Sequence, residues 1–393
     1  MNSSDLDDYR WLVTDEAAKW LQHAANQHGN LVSLTSRLRK QLSARRTHLV
    51  LDQVQLRQRA RVKFRAADQM FFTRKGLQQA TGQTVAEYKA ARFHSAISVV
   101  DLCCGIGGDL LALGEGRSVQ GVERCAVTAL LAATNCCRLS SGTTKVLGRD
   151  LVVSDVTDVQ AWHLDPDRRI KGGRTVQVQL QQPNDRMITK LLERNRNGAI
   201  KLAPASVVPD AWLEQAQIEW ISHARECKQS VVWFGELTDK PGSRTATHLT
   251  PDGEAEHFHG LWDLPVPVAP DMARFVVEPD PAILAARLTG ALAAEKNLHA
   301  ISSAAAYLTA DCPLQSRLAA SFEIQEMLPF EVKRIRQLLR ERQIGRLELK
   351  KRGVEIDLIR LRKQLSCQGE HAGTLLLMPR EERTIAVLAR RVT

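Results

Sequence analysis

No run of about 18 apolar residues occurs in this chain, so no membrane-spanning helix is expected. The first eight residues, Met-Asn-Ser-Ser-Asp-Leu-Asp-Asp, are acidic and lack the apolar core of a signal peptide. Eight cysteines among 393 residues are too few for a disulfide framework. None stands in a Cys-x-x-Cys pair; Cys103-Cys104 and Cys136-Cys137 are directly adjacent, which is not zinc-ligand spacing. No metal is therefore expected, and a reducing cytoplasm fits the thiols best. The dinucleotide fingerprint Gly-x-Gly-x-x-Gly is missing. So is any long repeat or low-complexity tract. Nothing in the sequence sets the oligomeric state.

What is present is charge, unevenly placed. The formal net charge is +10. Residues 1–95 and residues 331–393 each hold 16 Lys/Arg against 8 Asp/Glu, which leaves the middle of the chain acidic. Two basic flanks around an acidic core suggest a grip on a polyanion. Solvated helix faces would give the same count, so charge alone decides nothing.

The length implies two to four units. Residues 1–95 read as helical. Thr14 can cap a helix with Ala17, Leu21 and Ala24 on one side; a second helix passes through Leu38 and Leu42; a third is expected from Val54 to Ala67. Residues 96–255 alternate strand and helix, as a parallel sheet requires. Prolines and glycines between 251 and 275 suggest a linker. Residues 256–330 are expected to hold that linker and a small α/β piece, and 331–393 a last small α+β domain.

The most informative stretch is Val99-Val100-Asp101-Leu102-Cys103-Cys104-Gly105-Ile106-Gly107-Gly108-Asp109. An apolar strand ends in an acid, glycines follow, and an apolar helix begins at Leu110. Glycine lets backbone approach a ligand where a side chain would collide. The next strand, Ser118–Val122, leads to Glu123, an acid able to accept both hydroxyl protons of a ribose. Asp150 follows the strand after that, and Trp162-His163-Leu164-Asp165-Pro166 closes a fourth.

Together these signals resemble the class I S-adenosylmethionine-dependent methyltransferases. The resemblance implies that Asp101, Cys103, Gly105, Gly107, Gly108 and Asp109 surround the amino-acid end of S-adenosylmethionine. It places Glu123 at the ribose, Asp150 by the adenine, and Asp165-Pro166 where the acceptor arrives. More specifically, the chain resembles bacterial methyltransferases that end in a THUMP-like domain. The matching stretches are Met70–Thr73, Gln79–Thr81, Tyr88–Phe93, Asp101–Asp109, Asp165–Arg169, Ile200–Pro204, Glu219–Ser222, Glu278–Ala282 and Lys350–Gly353. The implied fold is α/β: a Rossmann-like class I methyltransferase sheet with an N-terminal helical domain and C-terminal ferredoxin-like or THUMP-like α+β domains. THUMP modules help deliver structured RNA, mostly tRNA, so an RNA partner, tRNA or rRNA, is implied.

Methyl transfer is an in-line displacement that needs an aligned lone pair. Asp165, stiffened by Pro166, suits the orientation of an exocyclic amine. Base amino methyltransferases usually carry an aromatic two residues after that proline; here Arg168 stands there, and arginine can stack on bases or grip phosphate. Asp167 replaces the alanine usual in the group, an acid that opposes phosphate contacts by Arg168 or Arg169. Lys201, with Lys350, Lys351 and Arg352, completes the expected substrate contacts. Cys227 lacks the context of a pyrimidine nucleophile, and His163 is expected to be a packed strand residue. Two other readings stay open: an RNA-binding protein with a vestigial cofactor pocket, and a small-molecule or protein methyltransferase.

Overall fold

The computed structural model describes residues 3–27, 31–170, 173–302 and 307–392. They form two compact units. The first comprises Met1–Ile218, Ser230–Gly242 and Pro251–Gly253; the second comprises Glu219–Gln229, Ser243–Thr250 and Glu254–Thr393. Among the described residues no helix is long and apolar enough to cross a membrane.

The first unit begins with helices α1 (Ser3–Leu12), α2 (Asp15–Ala25), α3 (Leu31–Leu38) and α4 (Ala44–Ala60). Thr14 caps α2 by accepting from the Ala17 N–H, and Ala17, Leu21 and Ala24 bury one face. The helix expected from Val54 instead starts at Ala44, because the Ser43 hydroxyl caps the Arg46 N–H, and it stops at Ala60. These helices share a core with Val127 and Leu131 of a later helix. Two more follow, α5 (Arg74–Gln79) and α6 (Gln83–Ala91).

The sheet of this unit contains β1 (Ser98–Leu102), β2 (Ser118–Val122), β3 (Thr144–Leu147), β4 (Ala161–Leu164) and β5 (Gly198–Leu202). Helices α7 (Gly108–Leu113), α8 (Ala126–Leu139) and α9 (Asp185–Arg194) connect them. The order is β3-β2-β1-β4-β5, all parallel. Strands covered on both faces need no alternation, which is why Ala161–Leu164 is buried throughout. The strand order reverses between β1 and β4, so a crevice opens at their carboxyl ends. The chain then runs through β6 (Gln217–His223) and β7 (Glu226–Trp233), and the end of β7 adds antiparallel to β5, with Ala199 opposite Trp233.

The second unit contributes β8 (Arg244–Leu249) and β9 (Ala255–His259), an antiparallel pair of which β8 precedes the expected linker and β9 lies inside it. It then builds a seven-stranded sheet from β10 (Phe275–Pro279), β11 (His299–Ala300), β12 (Leu308–Ala310), β13 (Ala319–Pro329), β14 (Ile344–Lys351), β15 (His371–Arg380) and β16 (Arg383–Arg391). The order is β11-β12-β10-β13-β16-β15-β14. β13 pairs with β10 on one side and β16 on the other, so the strands before and after residue 330 belong to one continuous sheet. Helices α10 (Val332–Glu341) and α11 (Leu358–Leu365) pack Ile335, Leu339, Leu361 and Leu365 against Leu375 and Leu377. Leu376 and Met378 point to the opposite face and meet Val276, Tyr307 and Phe322. The unbroken apolar run Thr374–Met378 is thus a strand buried on both sides.

Candidate active site

The turn after β1 is strained and open. Cys103 and Gly105 both have φ near +60°, and Gly107 caps α7 in the left-handed region. A Cβ on Gly105 would point into free space, with no atom within 4 Å. The turn is held from behind. Ile106 is buried among Phe64, Met70, Phe72 and Leu77. Asn135 of α8, itself buried, donates to the Ile106 carbonyl (3.0 Å) and the Phe71 carbonyl (3.1 Å) and accepts the Phe71 N–H (2.7 Å). Gly76 completes this anchor, since a Cβ there would lie 2.5 Å from Ile106 Cγ2.

Glu123 closes the turn from the end of β2. Its carboxylate accepts the Gly105 N–H at 3.1 Å and the Cys125 N–H at 2.8 Å. Gly105 and Glu123 are therefore neighbours, with an acid beside a turn that has room for a ligand. Asp150 is exposed beyond β3, while the preceding Arg149 turns to the buried Asp155. Cys103 and Cys104 have thiols pushed up chiefly by burial, so neither is a ready nucleophile. Cys227 is likewise raised to about 12, mainly by burial.

Two acids of the expected cofactor set turn inward. Asp101 is buried and takes the hydrogen bond of His163 Nδ1 at 2.7 Å. Its other oxygen is buried without a hydrogen-bond partner among the described residues, and burial pushes the carboxyl up. Asp109, in the first turn of α7, is buried against Lys89 Nζ (2.7 Å) and the Thr81 hydroxyl (2.7 Å). Burial opposes its charge, but Lys89 and the other basic neighbours hold it well below the usual carboxylate range. Both acids support the turn from beneath. Lys89 and Asn135 are the residues the sequence reading missed. A lysine in a helix and an asparagine in a helix carry no local signal of burial.

Asp165 follows β4, its N–H bonded to the Leu102 carbonyl at 3.2 Å, so it stands beside the turn of β1. Lys201 of β5 grips Asp165 Oδ2 at 2.6 Å. Oδ1 takes no hydrogen bond from the described residues, and the Asp165 side chain is 30% exposed. Burial would lower Lys201, but Asp165 and Asp109 outweigh it and raise its pKa, making it a fixed cation. Pro166 is buried and Arg168 half-buried. The Arg169 side chain lies outside the described residues. Asp167 meets Lys75 at 3.2 Å and Arg124 at 3.6 Å, so its charge is already matched.

Lys350, Lys351 and Arg352 occupy the end of β14 in the other unit. Lys350 and Arg352 reach the buried Glu278 at 2.7 and 3.4 Å, and Lys351 donates to the Ile356 carbonyl at 2.6 Å. These cations neutralise a buried acid and a strand end inside their own unit.

A sheet of this order, with a glycine turn after β1 and acids at the ends of β2 and β4, defines a class I S-adenosylmethionine-dependent methyltransferase. Comparison with known proteins agrees. A chain from two strains of Mycobacterium tuberculosis, described as an uncharacterized S-adenosylmethionine-dependent methyltransferase, is 31% identical over 307 residues, covering 77% of this chain and 82% of its own. The protein belongs to that methyltransferase family, and S-adenosylmethionine is its cofactor. Residues 319–391 match a family model described as THUMP domain-like, and residues 5–60 match a domain of unknown function (DUF8688). A solved structure from Porphyromonas gingivalis W83, provisionally assigned as a methyltransferase, shares the fold across all of both chains, with a TM-score of 0.76 at 19% identity.

Proposed function

We propose that this methyltransferase acts on RNA in the cytoplasm, on a tRNA or rRNA base, at an exocyclic amine. When bound, S-adenosylmethionine supplies an electrophilic methyl group on a sulfonium. Gly105, Gly107 and Gly108 would seat its amino-acid end and Glu123 its ribose. The open cradle at Gly105 and the carboxylate beside it fit such a ligand.

The observation that carries the acceptor side is Asp165, clamped through Oδ2 by Lys201 with Oδ1 left open. An amine N–H donated to Oδ1 turns its lone pair in a fixed direction. The proton on that nitrogen becomes strongly acidic as the nitrogen gains a fourth bond, so a carboxylate with a cation beside it is base enough. Lys201 offsets the carboxylate charge and fixes its orientation. His163 does not share this work, because both its ring nitrogens are engaged.

RNA is supported by the THUMP-like match and by surface charge. Helices α10 and α11 expose Lys333, Arg340, Arg360, Arg362 and Lys363. Exposed cations on adjacent helices suit phosphate contacts, which position an RNA without reading its sequence. Purified full-length protein with labelled cofactor should transfer label to an RNA fraction from a strain lacking the gene. Nuclease digestion and mass spectrometry then name the base. Label found only in the protein or small-molecule fraction overturns the RNA reading.

A further inference from the structure

The Tyr88–Phe93 stretch takes no part in the chemistry above, yet it delivers a wholly buried cation. Lys89 of α6 is 1% exposed. Its ammonium meets Asp109 Oδ1 at 2.7 Å and His163 Nε2 at 3.3 Å. His163 Nδ1 in turn meets Asp101 at 2.7 Å, and Asp109 Oδ2 accepts the Thr81 hydroxyl. The groups in line are Thr81, Asp109, Lys89, His163 and Asp101. Lys201 and Asp165 are the other charges that act on the cluster.

Burying an ammonium is costly, and a methionine would fill the same space without desolvation. Burial accordingly lowers the Lys89 pKa, with Asp109 opposing. What the cation gives in return is geometric. An ammonium only donates, so His163 Nε2 must accept. The ring is then neutral and carries its hydrogen on Nδ1, which points at Asp101. An imidazolium there would set two donors against each other.

We propose that Lys89 is a positioning residue of the methyl-transfer site. It fixes the tautomer of His163 on β4 and the carboxylate of Asp109 on α7. Through them it holds the two walls of the crevice, the β1–α7 turn and the end of β4, in one arrangement. Three elements from different parts of the chain, α6, α7 and β4, meet at this one nitrogen. His163 precedes Asp165 by two residues, so a rotated ring would disturb the acceptor side as well.

The inference rests on the proposed seat of the cofactor at the Gly105 turn. Its test is nitrogen NMR of histidine-labelled, full-length protein, with S-adenosylhomocysteine binding measured beside it. His163, assigned by its absence in H163Q, should show the neutral form with hydrogen on Nδ1. In K89M that signal should move toward a mixture of tautomers, and S-adenosylhomocysteine affinity should fall on the order of tenfold. K89M leaves Asp109 without its partner, so the double variant K89M/D109L guards against loss of folding; there too the His163 signal should shift. A hydrogen on Nε2 in the wild type overturns the proposal. So does a folded double variant with unchanged His163 signal and affinity. Should E123A leave affinity untouched, the seat is misplaced, while the tautomer result still judges Lys89 separately.

Discussion

Replacing Glu123 tests the cofactor seat most directly. Its two oxygens already take one backbone N–H each, from Gly105 and Cys125, and a carboxylate has lone pairs left for two ribose hydroxyls. A hydrogen bond to a charged acceptor contributes about 1.5–3 kcal/mol net. Two such bonds to one carboxylate are not additive, so E123A should cost about that much in total, roughly 10- to 150-fold in Kd. Glu123 is only half-buried, so water can satisfy the two freed N–H groups and the fold should survive. E123Q is the sharper variant. Its amide oxygen can keep one N–H, but its NH2 then faces the other as donor against donor. Titration calorimetry with S-adenosylhomocysteine reads the affinity. The same titration with the 2′-deoxy analogue makes a cycle: wild type should discriminate between the two ligands and E123A should not. A folded E123A that binds within twofold of wild type, or that keeps the discrimination, refutes the assignment of the ribose to Glu123.

Further outcomes follow from the same geometry. D165A should keep cofactor affinity and lose about 100-fold in transfer rate if it orients the acceptor; full activity would remove Asp165 from the site. D109N leaves the buried Lys89 charge without its counter-ion and should destabilise the fold by about 3–5 kcal/mol in urea melts near neutral pH. The folded pKa of Asp109 is depressed, so its contribution is complete above the ordinary aspartate value of about 4 and is lost as pH falls toward the folded value; the gap between wild type and D109N should shrink only below about pH 4. G76A forces a Cβ to within 2.5 Å of packed Ile106 and should cost about 1–3 kcal/mol, with weaker cofactor binding because Ile106 anchors the turn. Charge reversal at Lys333, Arg340, Arg360, Arg362 and Lys363 should lower the salt dependence of RNA binding by about one unit of log–log slope for each phosphate no longer neutralised; an unchanged slope would move the RNA-binding surface elsewhere.

The sheet was legible because parallel strands announce themselves. Val99-Val100 and Trp162–Leu164 lie in largely apolar stretches, each followed by an acid at the carboxyl end, and each falls in a buried strand. The turn was legible because positive φ at Gly105 and Gly107 demands glycine. Cys103, at φ +59°, was not, since nothing in a cysteine marks a left-handed residue. β8 falls in the stretch expected to alternate strand and helix, but its partner β9 was hidden, because the prolines and glycines around it look the same as those of a linker. Strand 319–329 is longer than its apolar part, Ala319–Ile324. Its far half pairs with β16 although Gln325 and Glu326 face outward, and no local pattern reveals that pairing.

Charge was the hardest signal to read, and its reading changes most with the structure. A basic residue counts toward a polyanion grip only when its head group is free in solvent. Lys350 and Arg352 look like an open cationic cluster in sequence, yet both face Glu278, which is 4% exposed. Reversing them would place like charges around a buried acid, and the resulting loss of folding would mimic a loss of RNA affinity. Lys89 shows the same principle within the methyltransferase unit: one of the 16 basic residues of the N-terminal flank, it is spent entirely on Asp109 and His163. What remains for a polyanion is the set whose ammonium and guanidinium groups reach water, on α10 and α11 among others. The net charge of a segment is therefore an upper bound on its attraction for RNA. A deletion of residues 331–393 is no cleaner a test, because it strips β14, β15 and β16 from a sheet in which β13 pairs with β16 from Phe322 to Pro329. Substitutions confined to exposed helix positions separate binding from folding, and only they can.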